Sequence, residues 1–104
     1  MAIRVLVLLL AVLPLPAQAH FPTLQCRAQT EDGGEQLTCS AGFSDGSLTG
    51  VVELRVYSYE DELLRVIATD TEGGASFGMP EGEFYIVFDA DHESPAEFDS
   101  AELE

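Results

Sequence analysis

Leu24-Gln25-Cys26-Arg27-Ala28-Gln29-Thr30-Glu31-Asp32-Gly33-Gly34-Glu35-Gln36-Leu37-Thr38-Cys39 decides how this chain folds. Asp-Gly is a strong two-residue hairpin signal, because the tight turn between antiparallel strands needs positive φ and these two residues tolerate it. A turn at Asp32-Gly33 makes Glu31 face Gly34. Pairing back along the strands then sets Cys26 opposite Cys39, in a non-hydrogen-bonded pair, where side chains come closest. The spacing predicts a Cys26–Cys39 disulfide across a hairpin of strands 22–29 and 35–43. In the chain-entropy account such a short closed loop contributes about 3 kcal/mol. The alternative use of two cysteines, a thiolate metal site, calls for closer spacing than these two have.

Outward from the hairpin the pattern stays β. Val52, Leu54 and Val56 alternate with Glu53, Arg55 and Tyr57. Leu64, Val66 and Ala68 alternate with Arg65 and Ile67, and Phe84, Ile86 and Phe88 with Tyr85 and Val87. Period two in branched and aromatic residues is the mark of a strand with one face buried. Turn residues separate the runs: Asp45-Gly46, Glu60-Asp61, Glu72-Gly73-Gly74 and Pro80-Glu81-Gly82. A short strand near Ala75–Phe77 and a last one over Ala96–Leu103 bring the expected number to about seven. The fold class is all-β, a small antiparallel sandwich of the immunoglobulin-like or transthyretin-like kind.

The first nineteen residues read as a secretory signal. Arg4 supplies the positive start, Val5–Leu13 an apolar run, Pro14-Leu15-Pro16 a break, and Ala17-Gln18-Ala19 the small-x-small cleavage pattern. The run is too short to span a bilayer of about 30 Å as a helix, so a retained anchor is the weaker reading. The expected organisation is a signal peptide over 1–19 and a single sandwich domain over 20–104. The expected product is periplasmic or secreted, which suits a disulfide. Cleavage before His20 would leave histidine at the mature amino terminus.

Charge is strongly one-sided, with nineteen acids against four basic residues and a net charge of −15. Arg27, Arg55 and Arg65 are the only arginines or lysines after residue 19, and none follows Arg65. Nucleic acid and anionic membrane both demand a basic surface and are excluded as partners. Cations and basic proteins remain, beside the plain reading that acids keep the chain soluble.

At this point a resemblance is carried by Gly46-Ser47-Leu48-Thr49-Gly50-Val51-Val52-Glu53-Leu54-Arg55-Val56-Tyr57, Thr69-Asp70-Thr71-Glu72-Gly73 and Ser76-Phe77-Gly78-Met79-Pro80-Glu81-Gly82-Glu83-Phe84-Tyr85-Ile86-Val87. This run resembles carboxypeptidase-regulatory-like domains, which implies an immunoglobulin-like or transthyretin-like sandwich. The close Phe88-Asp89-Ala90-Asp91-His92, together with the opening Ala19-His20-Phe21, resembles the periplasmic component of nickel and cobalt uptake systems. Here Asp91 replaces glycine in that close. The opening histidine is also similar to that of copper carriers and of copper oxygenases with a histidine brace.

The residues and the resemblance together point to a metal. An amino-terminal histidine offers an amine and an imidazole on one residue, and His92 adds the second of the chain's two imidazoles. Asp89 or Asp91 would supply an oxygen ligand or orient a ring. Nitrogen-rich sets suit copper(II), nickel(II) or cobalt(II). The expected function is a carrier or uptake accessory for such an ion, working with a transporter or another periplasmic protein. The alternative is a non-catalytic interaction module that binds a protein through an acidic face or a sheet edge. Catalysis is not expected: there is no G-x-S-x-G elbow and no glycine-rich phosphate loop. Met79 reads as a turn or core residue rather than a soft copper ligand.

Overall fold

The computed structural model describes residues 20–91 and 93–103. The segment 1–19, expected to be a signal peptide, and the candidate ligand His92 lie outside the described residues. The described residues form seven strands: β1 (Pro22–Glu31), β2 (Gly34–Phe43), β3 (Glu53–Ser58), β4 (Leu63–Ala68), β5 (Gly74–Gly78), β6 (Phe84–Phe88) and β7 (Ala96–Asp99). They build two antiparallel sheets, ordered β1-β2-β5 and β4-β3-β6-β7. In a constant-type immunoglobulin order the fourth strand joins the first, second and fifth; here it pairs with the third.

The hairpin has the register expected from a turn at Asp32-Gly33, but the positive φ falls on Gly34, at 116°, and not on Asp32 or Gly33. Glu31 faces Gly34 and Cys26 faces Cys39, and the two cysteines are bonded with their Cα atoms 4.0 Å apart. Alternation then sorts the side chains. From the three-stranded sheet Leu24, Leu37, Cys39, Ala41 and Phe77 point inward; from the other come Leu54, Val56, Phe84, Ile86, Phe88 and Phe98. Together they form one buried cluster, with Met79 packed against it as a core methionine.

β4 departs from the simple pattern. Its pairing with β3 shifts between Val56 and Tyr57, so that Val56 faces Arg65 and Tyr57 faces Leu63, with Leu64 as the extra residue of a bulge. The shift sets the phase of the strand. Ile67 faces Leu54 and turns inward, whereas Val66 faces Arg55 on the outer side. Leu63, Leu64 and Val66 are all exposed. Arg65 lies on the inner side at the open edge, its guanidinium 5.4 Å from the centre of the Phe77 ring in the opposite sheet. A cation over an aromatic face closes that edge without burying the charge.

The chain crosses between sheets through Thr69–Gly73. Thr69 is buried, and its polar atoms are satisfied: Thr69 Oγ1 accepts from the Val52 amide at 3.0 Å and donates to the Asp70 carbonyl at 2.9 Å. Asp70 Oδ1 accepts from the amides of Glu72 and Gly74 and holds the turn. Gly73 has φ +87° and passes its carbonyl to the Ala41 amide at 2.9 Å.

The last strand is shorter than the expected Ala96–Leu103. It ends at Asp99, which caps a 3-10 turn over Ser100–Glu102. Asp99 accepts from the Ala101 amide, and Glu102 reaches back to the Asp99 amide. This reciprocal cap satisfies backbone donors that a strand would have left to a neighbour.

Candidate functional site

The chain preceding β1 is tied down one residue before the strand begins. The Phe21 amide donates to Ser44 Oγ at 2.9 Å, and the Phe21 carbonyl accepts from the Ser44 amide at 2.8 Å. Two opposed bonds fix residue 21 against the segment that leaves β2. His20 is thereby laid on the end of β2, its ring edge-on to Phe43 with centroids 5.5 Å apart and planes at 87°. Its Nδ1 stands 4.0 Å from Asp45 Oδ2, with both side chains about half exposed.

Asp45 belongs to the turn at Phe43–Gly46, closed by the Gly46 amide on the Phe43 carbonyl. Its Oδ1 accepts the Ser47 hydroxyl at 2.6 Å and the Ser47 amide at 2.9 Å. The Ser47 hydroxyl bond, then the Ser47 amide bond, holds its carboxyl below the ordinary 3.8, and proximity to His20 adds to this. Asp45 is therefore ionised at neutral pH. It is a site residue that composition and motif did not single out. The Asp-x-Ser spacing signals the turn, but only the fold brings His20 to it.

Asp89 and Asp91 follow β6. The Asp91 amide donates to Asp89 Oδ1 at 2.9 Å, and Asp91 takes φ 75°, the left-handed conformation that glycine favours. Both line a surface hollow with Val51, Val52, Glu53, Arg55 and Val87, and His20 is not part of that hollow. The two places belong to the same end of the sandwich: His20 packs on Phe43, Phe43 packs on Phe88 with ring centroids 6.0 Å apart, and Asp89 is the next residue. Among the described residues no three His, Cys, Asp or Glu side chains gather around one point. His20 and Asp45 are thus a pair, to which a free amine at residue 20 would add a third donor.

The outer face of the four-stranded sheet carries a second ionisable group of note. Tyr57 and Tyr85 face each other across β3 and β6 and stack with ring centres 5.2 Å apart. Tyr85 donates to Asp61 Oδ1 at 2.6 Å, and this bond to a carboxylate pushes the phenol up to about 12. A group raised above its ordinary 10.0 adds stability below pH 10 that is lost as pH rises through about 12. In an alkaline titration followed by phenolate absorbance, one tyrosine is expected to ionise near pH 12. Asp61→Asn keeps the left-handed backbone but removes the charge, and it should bring that transition back toward 10. An unchanged titration in the variant would refute the assignment.

No family model, curated protein or solved structure matches this chain. Among the described residues no helix is long and apolar enough to cross a membrane. The disulfide in so small a β domain fits an oxidising compartment.

Proposed function

We propose that this is an exported, periplasmic metal-binding protein that takes copper(II), or nickel(II) or cobalt(II), at a mature amino terminus beginning with His20. It acts as a carrier or uptake accessory and not as a catalyst. The observation that carries the reading is the fixed juxtaposition of His20 Nδ1 and the Asp45 carboxylate at 4.0 Å. Two ligands each about 2 Å from one ion stand at most about 4 Å apart, so this pair is at the limit for sharing one metal, with the two donors on opposite sides of it. Cleavage after Ala19 would free the α-amine, which closes a chelate ring with Nδ1 of the same residue. Amine, imidazole and an ionised carboxylate make a mixed nitrogen–oxygen set, for which copper has the highest affinity among the divalent ions.

Support also comes from rigidity. A terminal residue ordinarily frays. Here the clamp between Phe21 and Ser44 and the contact with Phe43 hold His20 where its donors converge. Ordering paid during folding is not paid again on binding. Asp89 and Asp91, at the same end of the sandwich, remain candidates for further positions, as does His92, which lies outside the described residues.

Calorimetric titration with Cu²⁺ and Ni²⁺ tests the reading. The protein starting at His20 is expected to bind one ion. A form with one alanine ahead of His20 keeps the imidazole but loses the chelating amine, and should bind about 100-fold more weakly. Asp45→Asn is expected to weaken binding about 10-fold. Affinity should fall on acidification, because protons compete for the nitrogen donors. Equal affinity of the extended and authentic forms would end the proposal.

A further inference from the structure

The outer face of the four-stranded sheet is built unlike a solvated face. On edge strand β4 the bulge at Leu64 turns Leu63 and Val66 outward, where 49% and 45% of their surface is exposed. Cross-strand pairing extends this row inward from the edge. Leu63 faces Tyr57, which faces Tyr85; Val66 faces Arg55, which faces Val87. The outer face of the other sheet contrasts with it, being lined by hydrogen-bonded Gln29, Thr38 and Ser76.

The rim of the apolar row is acidic. Glu53, Glu97 and Asp99 share the face, and Glu60, Asp61 and Glu62 precede β4 as Asp70 and Glu72 follow it. Arg55 is the base on this face, and it is already paired with Glu53 at 3.3 Å. A second copy fits poorly here. Antiparallel pairing of two β4 strands would set the 60–62 acids of one against Asp70 and Glu72 of the other, in chains of net charge −15. Like charges so placed oppose association, whereas a basic partner gains on the same geometry.

We propose that this face docks an extended, lysine- or arginine-rich segment of another protein, lying along β4. Alternate side chains of the segment cover Leu63 and Val66, and its cations reach the acids at either end of the strand. Among the described residues β4 is an edge strand, and its outer backbone groups are open to such a segment. This is independent of the metal site.

The probe is a synthetic heptapeptide alternating lysine and valine, titrated into the protein beginning at His20 and followed by amide chemical shifts. Binding is expected to shift the amides of β3, β4 and β6. It should weaken at least tenfold in a Leu63→Ser/Val66→Ser variant whose circular dichroism and melting match the parent. Gln36→Ala, on the opposite sheet, should leave it unchanged. Glutamate in place of lysine should abolish it. Equal binding by the serine variant would show mere attraction of a polycation to an acidic chain and would overturn the proposal. So would failure of the peptide to bind, or a homodimer in sedimentation that the serine variant dissolves.

Discussion

Removing the disulfide, as Cys26→Ala/Cys39→Ala, is expected to lower the unfolding free energy by about 3 kcal/mol. The bond closes the β1–β2 hairpin across a sequence separation of 13. In the unfolded chain that closure removes conformations that folding would otherwise have to give up, and the strands already hold the two Cα atoms 4.0 Å apart. Cys39 is also buried in the core, so its replacement by alanine removes packing as well. A domain this small has about 5–15 kcal/mol to lose. Each kcal/mol moves the midpoint by about 4–8 °C, so a fall of about 10–25 °C is expected in thermal melts. Wild-type protein unfolded in the presence of a reductant should fall by a similar amount. A loss under about 1 kcal/mol would show that the sandwich does not rely on the bond.

Gly73→Ala is expected to cost about as much or more, for a different reason. Gly73 has φ +87°, where an alanine pays about 1–2 kcal/mol. An added Cβ would lie 2.2 Å from the Ala41 carbonyl oxygen and 2.9 Å from Thr49 Oγ1. The Ala41 contact is with backbone in the central strand of the three-stranded sheet, so a side-chain rotation cannot relieve it. The bond from the Ala41 amide to the Gly73 carbonyl would have to lengthen or break. Strain, overpacking and a damaged hydrogen bond together give a loss of about 3–5 kcal/mol. Gly46→Ala separates these parts. Gly46 has φ +89° but no atom within 4 Å of its added Cβ. Its loss should be the backbone strain alone, about 1–2 kcal/mol. Denaturant melts of the two variants measure the difference. If both lose the same amount, the contact with Ala41 is not what makes Gly73 necessary.

The disulfide was legible in the sequence because Asp32-Gly33 sets the register and the cysteine positions follow by counting. The core was legible where alternation runs without interruption, as in β3 and β6. β4 shows the limit of such reading. Period two tells that one face differs from the other, but not which face turns inward. The bulge at Leu64, a property of how β4 pairs with β3, decides that Arg65 and Ile67 lie inside and Val66 outside. The end of β7 carried a signal of its own, since Asp99 and Glu102 have the three-residue spacing of a reciprocal cap. Of the candidate metal ligands, His20 was suggested by the cleavage pattern. Asp45 was not visible, because its nearness to His20 depends on the Phe21–Ser44 clamp across 23 positions of sequence.

The hairpin register also bears on the timing of oxidation. A β-hairpin opens and closes in about 1–10 μs, whereas thiol oxidation takes seconds or longer. Even a hairpin that is closed only part of the time brings Cys26 and Cys39 together many thousands of times before an oxidant acts. The thiols need nothing beyond Phe43 to find each other. Wherever an oxidant meets the growing chain, the crosslink is therefore within reach before β3 to β7 have any sheet to join.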